Sequence, residues 1–151
     1  MNSGDKNLEN LVRAKLLKAE PTSKQEIASL LASAEEQLRD SHTASLKPTS
    51  RFMLAYNAVH ALALTALRAQ GYRPSTAPGH RRVVFQVLEV TADAEPQLWR
   101  ALDRYHDRRN ATEYEGAPSA TEAEAEDIVK LAGKLQRLVL TGLKRAHPEL
   151  L

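Results

Sequence analysis

Apolar residues return every three or four positions along almost the whole chain, the spacing that lines one face of an α-helix. No segment alternates convincingly with the period of two that marks a strand. The pattern therefore predicts an all-α, up-and-down bundle of about five or six helices. Leu8, Leu11, Val12 and Leu16 outline a short first helix that stops near the "AEP" at 19–21. "TSKQE" offers a capping box, Ser23 to Glu26, for a second helix carrying Ile27, Leu30, Leu31, Ala34 and Leu38 on one side. A third helix over residues 49–70 is apolar nearly all round, which places it in the middle of the bundle, and Gly71 supplies its stop.

Beyond the Pro- and Gly-rich loop "YRPSTAPGH", Val83, Val84, Val87 and Leu88 mark a shorter helix. Pro96 opens a fifth, "EGAPS" interrupts, and a last helix is expected from Ser119, with Glu122 three positions on as its capping partner. Short connections make neighbouring helices antiparallel. The whole reads as one domain, 1–151, with residues 1–20 as an additional N-terminal helix ahead of a bundle core at 23–145.

Composition narrows the chemistry. Aromatics are only 5% of the 151 residues, so leucine, alanine and valine must build the core, which suits helices. There are no cysteines, which excludes disulfides, thiol nucleophiles and cysteine-ligated zinc. His42, His80 and His147 show no ligand spacing with nearby carboxylates, so no metal is assigned, and nothing calls for a cofactor. The start lacks a basic region followed by an apolar run. The longest uncharged segment, 52–67, is shorter than the ~18–20 residues of a membrane span. These features predict a cytoplasmic chain without a membrane segment. A net charge of +2 is too small to argue for nucleic acid by itself, so any electrostatic case rests on local clustering.

Two helices carry candidate chemistry. On the fifth, Leu98, Leu102, Tyr105 and Arg109 fall on one stripe. An arginine in line with core residues must pair with an acid, reach water at the bundle end, or hold an anion. Arg100, Arg104 and Arg108 form a second stripe with Asp103 and Asp107 between them; a solvated face with local ion pairs explains it better than a phosphate track. On the third helix Tyr56 and His60 share a face with Met53, Ala63, Leu64 and Leu67. A histidine there is more often a hydrogen-bonded core residue than a catalyst, yet the pair is placed to face Arg109 across the bundle. His106, three residues before Arg109, can meet it on the helix surface. The acidic run "TEAEAED" is explained by the helix macrodipole.

The segment "AYNAVHALALTALRAQGYRPSTAPGH" followed by "RRNATEYEG" resembles HEPN domains (higher eukaryotes and prokaryotes nucleotide-binding) over roughly 23–145. The resemblance implies a helical bundle, usually a homodimer, with signature arginines near the dimer cleft and a link to RNA or nucleotides. Many members are metal-independent ribonucleases of toxin–antitoxin systems; others are silent and act beside a nucleotidyltransferase partner. The signature arginine and polar residue match Arg109 and Asn110, and Tyr114 stands where histidine is expected.

That departure bears on activity. Metal-free RNA cleavage needs a proton acceptor, a proton donor and a cation for the phosphate. Arginine supplies the cation, and an imidazole with a pKa of about 6.5 can move the proton. A phenol, with a pKa of about 10, is a poor base but can donate or stack. The leading expectation is thus a non-cleaving RNA- or nucleotide-binding module, one component of a toxin–antitoxin-type pair. Arg109, Asn110 and Tyr114 would hold the ligand, with Tyr56, His60 and Arg104 behind them. The alternatives are a ribonuclease rescued by His106 or His60, and a structural or protein-interaction module.

Overall fold

In the computed structural model, which describes residues 3–76 and 80–151, the helical pattern becomes seven α-helices and one two-stranded ribbon among those residues. In chain order they are α1 (Ser3–Arg13), β1 (Leu17–Ala19), α2 (Lys24–Ser41), α3 (Pro48–Ala69), β2 (Tyr72–Pro74), α4 (His80–Gln86), α5 (Leu88–Thr91), α6 (Pro96–Tyr114) and α7 (Glu122–Ala146). A 3-10 turn, Pro148–Leu150, follows. Part of the "YRPSTAPGH" loop, residues 77–79, lies outside the described residues.

The most apolar helix is central. α3 lies between α2 and α7, against which it makes its most extensive contacts. Ala55, Ala58, Ala61, Ala63, Ala66 and Ala69 are all buried, and side chains this short let neighbouring axes approach closely. Phe52, Tyr56, Leu62 and Leu67 fill the space between, with Ile27 from α2 and Ile128 and Leu135 from α7. Each such large apolar side chain contributes roughly 1.5–3 kcal/mol on burial. By length and composition the 22-residue α3 passes as a membrane span, but 72% of its apolar window is buried inside the bundle. It is a core helix of the bundle.

Several local expectations are corrected. The first helix ends at Arg13; Lys15, at φ 64°, turns the chain into β1, which pairs antiparallel with β2 through Leu17–Pro74, Lys18–Arg73 and Ala19–Tyr72. Strands of three residues are too short to display alternation. The expected helix around Val83–Leu88 is two, because the backbone tightens at Val87 (φ −96°, ψ 2°) before α5. α7 starts two residues later than the sequence suggested. Thr121 caps it, and its hydroxyl and backbone exchange hydrogen bonds with Glu124, a complete capping box. At α2 the box is half made. Ser23 accepts from the Glu26 backbone as expected, but the Glu26 carboxylate is turned to Thr22 and Arg68.

Candidate functional site

α6 begins at Pro96, whose fixed φ suits a first helical turn, and its Leu98 and Leu102 are buried. That anchoring sets which face of α6 meets α3 and α4. His106, one turn beyond Leu102, is buried against Tyr56 of α3 and Phe85 of α4. The His60, Tyr56 and His106 rings form a near-parallel series, with centroid separations of 6.4 and 6.2 Å. Phe85 lies edge-on to His60 at 6.1 Å.

A continuous polar chain runs along this series. Tyr56 Oη and His106 Nδ1 are 2.9 Å apart, and Asn110 Nδ2 lies 3.2 Å from His106 Nε2. Arg109 Nη1 donates to Asn110 Oδ1 at 3.2 Å, and Arg109 Nη2 pairs with Glu113 at 3.1 Å. The donor directions fix the tautomer. Because the Asn110 oxygen accepts from arginine, its NH2 faces His106; Nε2 therefore accepts, and the imidazole proton sits on Nδ1, which donates to the phenol. Burial, followed by the positive charge of Arg82, holds His106 below the ordinary histidine range, so it is neutral at neutral pH. Both ring nitrogens are thereby engaged.

Arg109 is itself enclosed. Its side chain is 12% exposed, and its guanidinium carbon lies 5.2 Å from the Tyr56 ring centre and 5.3 Å from that of Tyr114. Cation–π contacts of this kind contribute about 0.5–2 kcal/mol each. Its Nε is buried without a hydrogen-bond partner among the described residues, so the packing of the arginine is favoured over full satisfaction of its donors. Tyr114, at 71% exposure, is the outward edge of the cluster. Burial raises the Tyr56 pKa, against the opposing pull of Arg109 and then Arg81, so the phenol stays protonated.

The sequence-chosen residues thus divide. Tyr56, His106, Arg109, Asn110 and Tyr114 come together, as the facing of the two helices implied. His60 joins through ring contact with Tyr56. Arg104 does not: it is exposed, and five residues from Arg109 it points to another side of α6. The charged stripe is resolved into specific ties. Arg108 holds the Glu124 carboxylate with two bonds and donates to the Pro118 and Ser119 carbonyls, fastening the connector ahead of α7. Asp103 and Asp107 both pair with Arg82 of α4.

Sequence reasoning missed Arg82, Glu113 and, above all, Arg68. The Arg68 side chain is 5% exposed and donates to Glu26, to the Glu20, Pro21 and Tyr72 carbonyls, and makes a longer ion pair with Glu20. An arginine inside so apolar a helix was the available signal. Among the described residues no group of three or more His, Asp and Glu is placed to hold a metal ion. No family model, curated protein or solved structure matches the chain. The HEPN resemblance therefore stands on its quoted residues alone, and the architecture established is a generic helical bundle.

Proposed function

We propose that this chain is a non-enzymatic helical interaction module in which the Arg109 cluster ties α3 to α6. The observation that carries this reading is the inward use of the polar groups. Tyr56, His106, Asn110, Arg109 and Glu113 bond to one another in sequence, and neither ring nitrogen of His106 is left for proton transfer. Tyr114, exposed and lying over Arg109, is what the cluster offers outward. Tyrosine and arginine are enriched at protein interfaces, and we include pairing with a second copy in this proposal.

The test measures RNA and nucleotide binding at low salt, cleavage in excess chelator, and thermal stability, for wild type and Arg109→Ala. Expected are no salt-sensitive affinity, no cleavage, and a lowered Tm in the variant. A salt-sensitive RNA affinity that Arg109→Ala abolishes would reverse the reading. Sedimentation across a concentration series checks pairing: Tyr114→Ser should weaken self-association, and a strictly monomeric wild type removes that part.

The second reading is the HEPN-like one, a non-cleaving RNA or nucleotide seat, with or without a nucleotidyltransferase partner. Its support is that residues picked from two distant segments meet in one cluster. It requires Arg109 to exchange Glu113, an exposed partner on its own helix, for a phosphate, and Tyr114 to stack on a base. The ribonuclease version further requires His106 to give up Asn110 or Tyr56.

A further inference from the structure

A separate cavity of about 250 Å3 opens between α3, β2 and α4, and its walls are unusually rich in arginine. Arg68, Arg73 and Arg81 line it, with Glu26 as the carboxylate on the wall. Their roles differ. Arg68 is saturated by protein acceptors and has no donor direction to spare. Arg73 is half exposed and spends one nitrogen on Glu20, 2.9 Å away, which steadies the side chain at the cavity rim. Arg81 is exposed, enters none of the ion pairs among the described residues and gives one hydrogen bond to the Tyr56 hydroxyl, which leaves its other donors for a ligand, whereas its neighbour Arg82 takes both nearby aspartates.

The local charge decides the class of ligand. Three guanidinium groups face two carboxylates, Glu20 and Glu26, which leaves one positive charge uncompensated at this end of the bundle. One carboxylate balances it; a phosphate dianion overbalances it and meets Glu26. The remaining wall is Leu64, Pro74 and the flat His60 ring, so the ligand body should be a compact hydrocarbon or aromatic group. The volume lies just under the roughly 300–1,000 Å3 of pockets for drug-sized molecules, which limits the occupant to a small one.

We propose that this cavity binds a small organic monocarboxylate, its carboxylate held by Arg73 and Arg81 and its apolar body set against Leu64 and Pro74. Two arginines converging on one carboxylate provide charge-assisted, directional hydrogen bonds. The site borders the Arg109 cluster through His60 and through the Arg81 bond to Tyr56 but does not use Arg109, Asn110 or Tyr114, and it does not depend on the interaction-module reading.

The test titrates the full chain at low salt with benzoate, with benzamide as its uncharged counterpart, and with inorganic phosphate, by calorimetry and imidazole NMR. Benzoate should saturate in the millimolar range or tighter and shift the ring signals of His60, which lines the cavity, but not those of His147. Benzamide should bind at least about tenfold more weakly, and Arg81→Gln or Arg73→Gln should each weaken benzoate by about tenfold. Both arginines are exposed, so each variant should keep its circular dichroism and melt within about 3 °C of wild type, and each provides an independent check on the other. The proposal is overturned if benzamide matches benzoate, if phosphate binds more tightly than benzoate, if neither arginine variant changes the affinity, or if no saturation occurs below about 10 mM.

Discussion

Replacing Arg68 with methionine should be among the most damaging single substitutions in the chain. Methionine keeps much of the length and apolar stem but removes the charge and every donor. The Glu26 carboxylate and the carbonyls of Glu20, Pro21 and Tyr72 then lose a partner together. Breaking a buried pair from one side costs about 3–5 kcal/mol, because the orphaned groups keep their desolvation penalty. Glu26 is partly exposed and can regain water, which favours the lower part of that range. For a chain of 151 residues, 1 kcal/mol corresponds to about 3 °C in Tm, so Arg68→Met should melt roughly 9–12 °C below wild type. Arg73→Met is the matched control. That side chain is 50% exposed and makes one ion pair with Glu20, so its loss should cost at most about 1 kcal/mol, or 3 °C. Differential scanning calorimetry at neutral pH compares the two. If the two variants melt within about 3 °C of each other, the bonds of Arg68 to Glu26 and to the Glu20, Pro21 and Tyr72 carbonyls do not carry the stability assigned to them.

Three further expectations test other parts of the structure. Arg108, hydrogen-bonded to Glu124, draws that carboxyl from 4.5 down to about 2, so its contribution is present above the ordinary carboxylate range and is lost as pH falls toward 2. With allowance for solvent screening, Glu124→Gln should lower Tm by about 3–6 °C at pH 7 and converge on wild type in acid melts. His106, depressed by burial and then by Arg82, should remain neutral on 15N NMR below the usual histidine range, with its proton on Nδ1. Since its unfolded form takes up a proton first, this group's contribution is present above about pH 6.5 and declines as pH falls below it; titration at or above 6.5 contradicts the buried hydrogen-bonded arrangement. Gly71 stands at φ +89° with open space where a Cβ would be, so Gly71→Ala should cost about 1–2 kcal/mol from backbone conformation alone; an unchanged urea midpoint would exclude that.

Long periodic segments were legible because burial of one helix face leaves its mark every three or four residues. Ile27 and Leu38 on α2, the near-continuous apolar α3, and Ile128, Leu135 and Val139 on α7 all lie in the core. The ribbon was not legible, since three-residue strands carry no period and Lys15 gives no glycine-like sign of its left-handed turn. The start of α7 was misread because Ser119 and Thr121 both stand three positions before a glutamate, and the Arg108–Glu124 pair favours the later one. At the candidate site, helix spacing foresaw that Tyr56 would face Arg109. It did not show that Glu113 and Tyr114, from the same helix, fold back over the guanidinium. Arg82 and Arg68 escaped because their partners are distant in sequence, at Asp103 and Asp107 for one and at Glu20 and Glu26 for the other.

The short ribbon has a consequence for how the chain can be divided. Backbone bonds from Glu20 to Gly71 and from Ser75 to Leu16 flank it, so residues 16–75 are cinched into a closed loop that contains α2 and α3. A proteolytic nick in the connector between those helices should therefore leave two fragments that stay associated. A version beginning at residue 23 would instead lose the buried Leu8 and Leu17, expose the edge of β2, and deprive Arg68 of three of its acceptors. Residues 3–20 work as a clasp on the bundle rather than as an appendage to it.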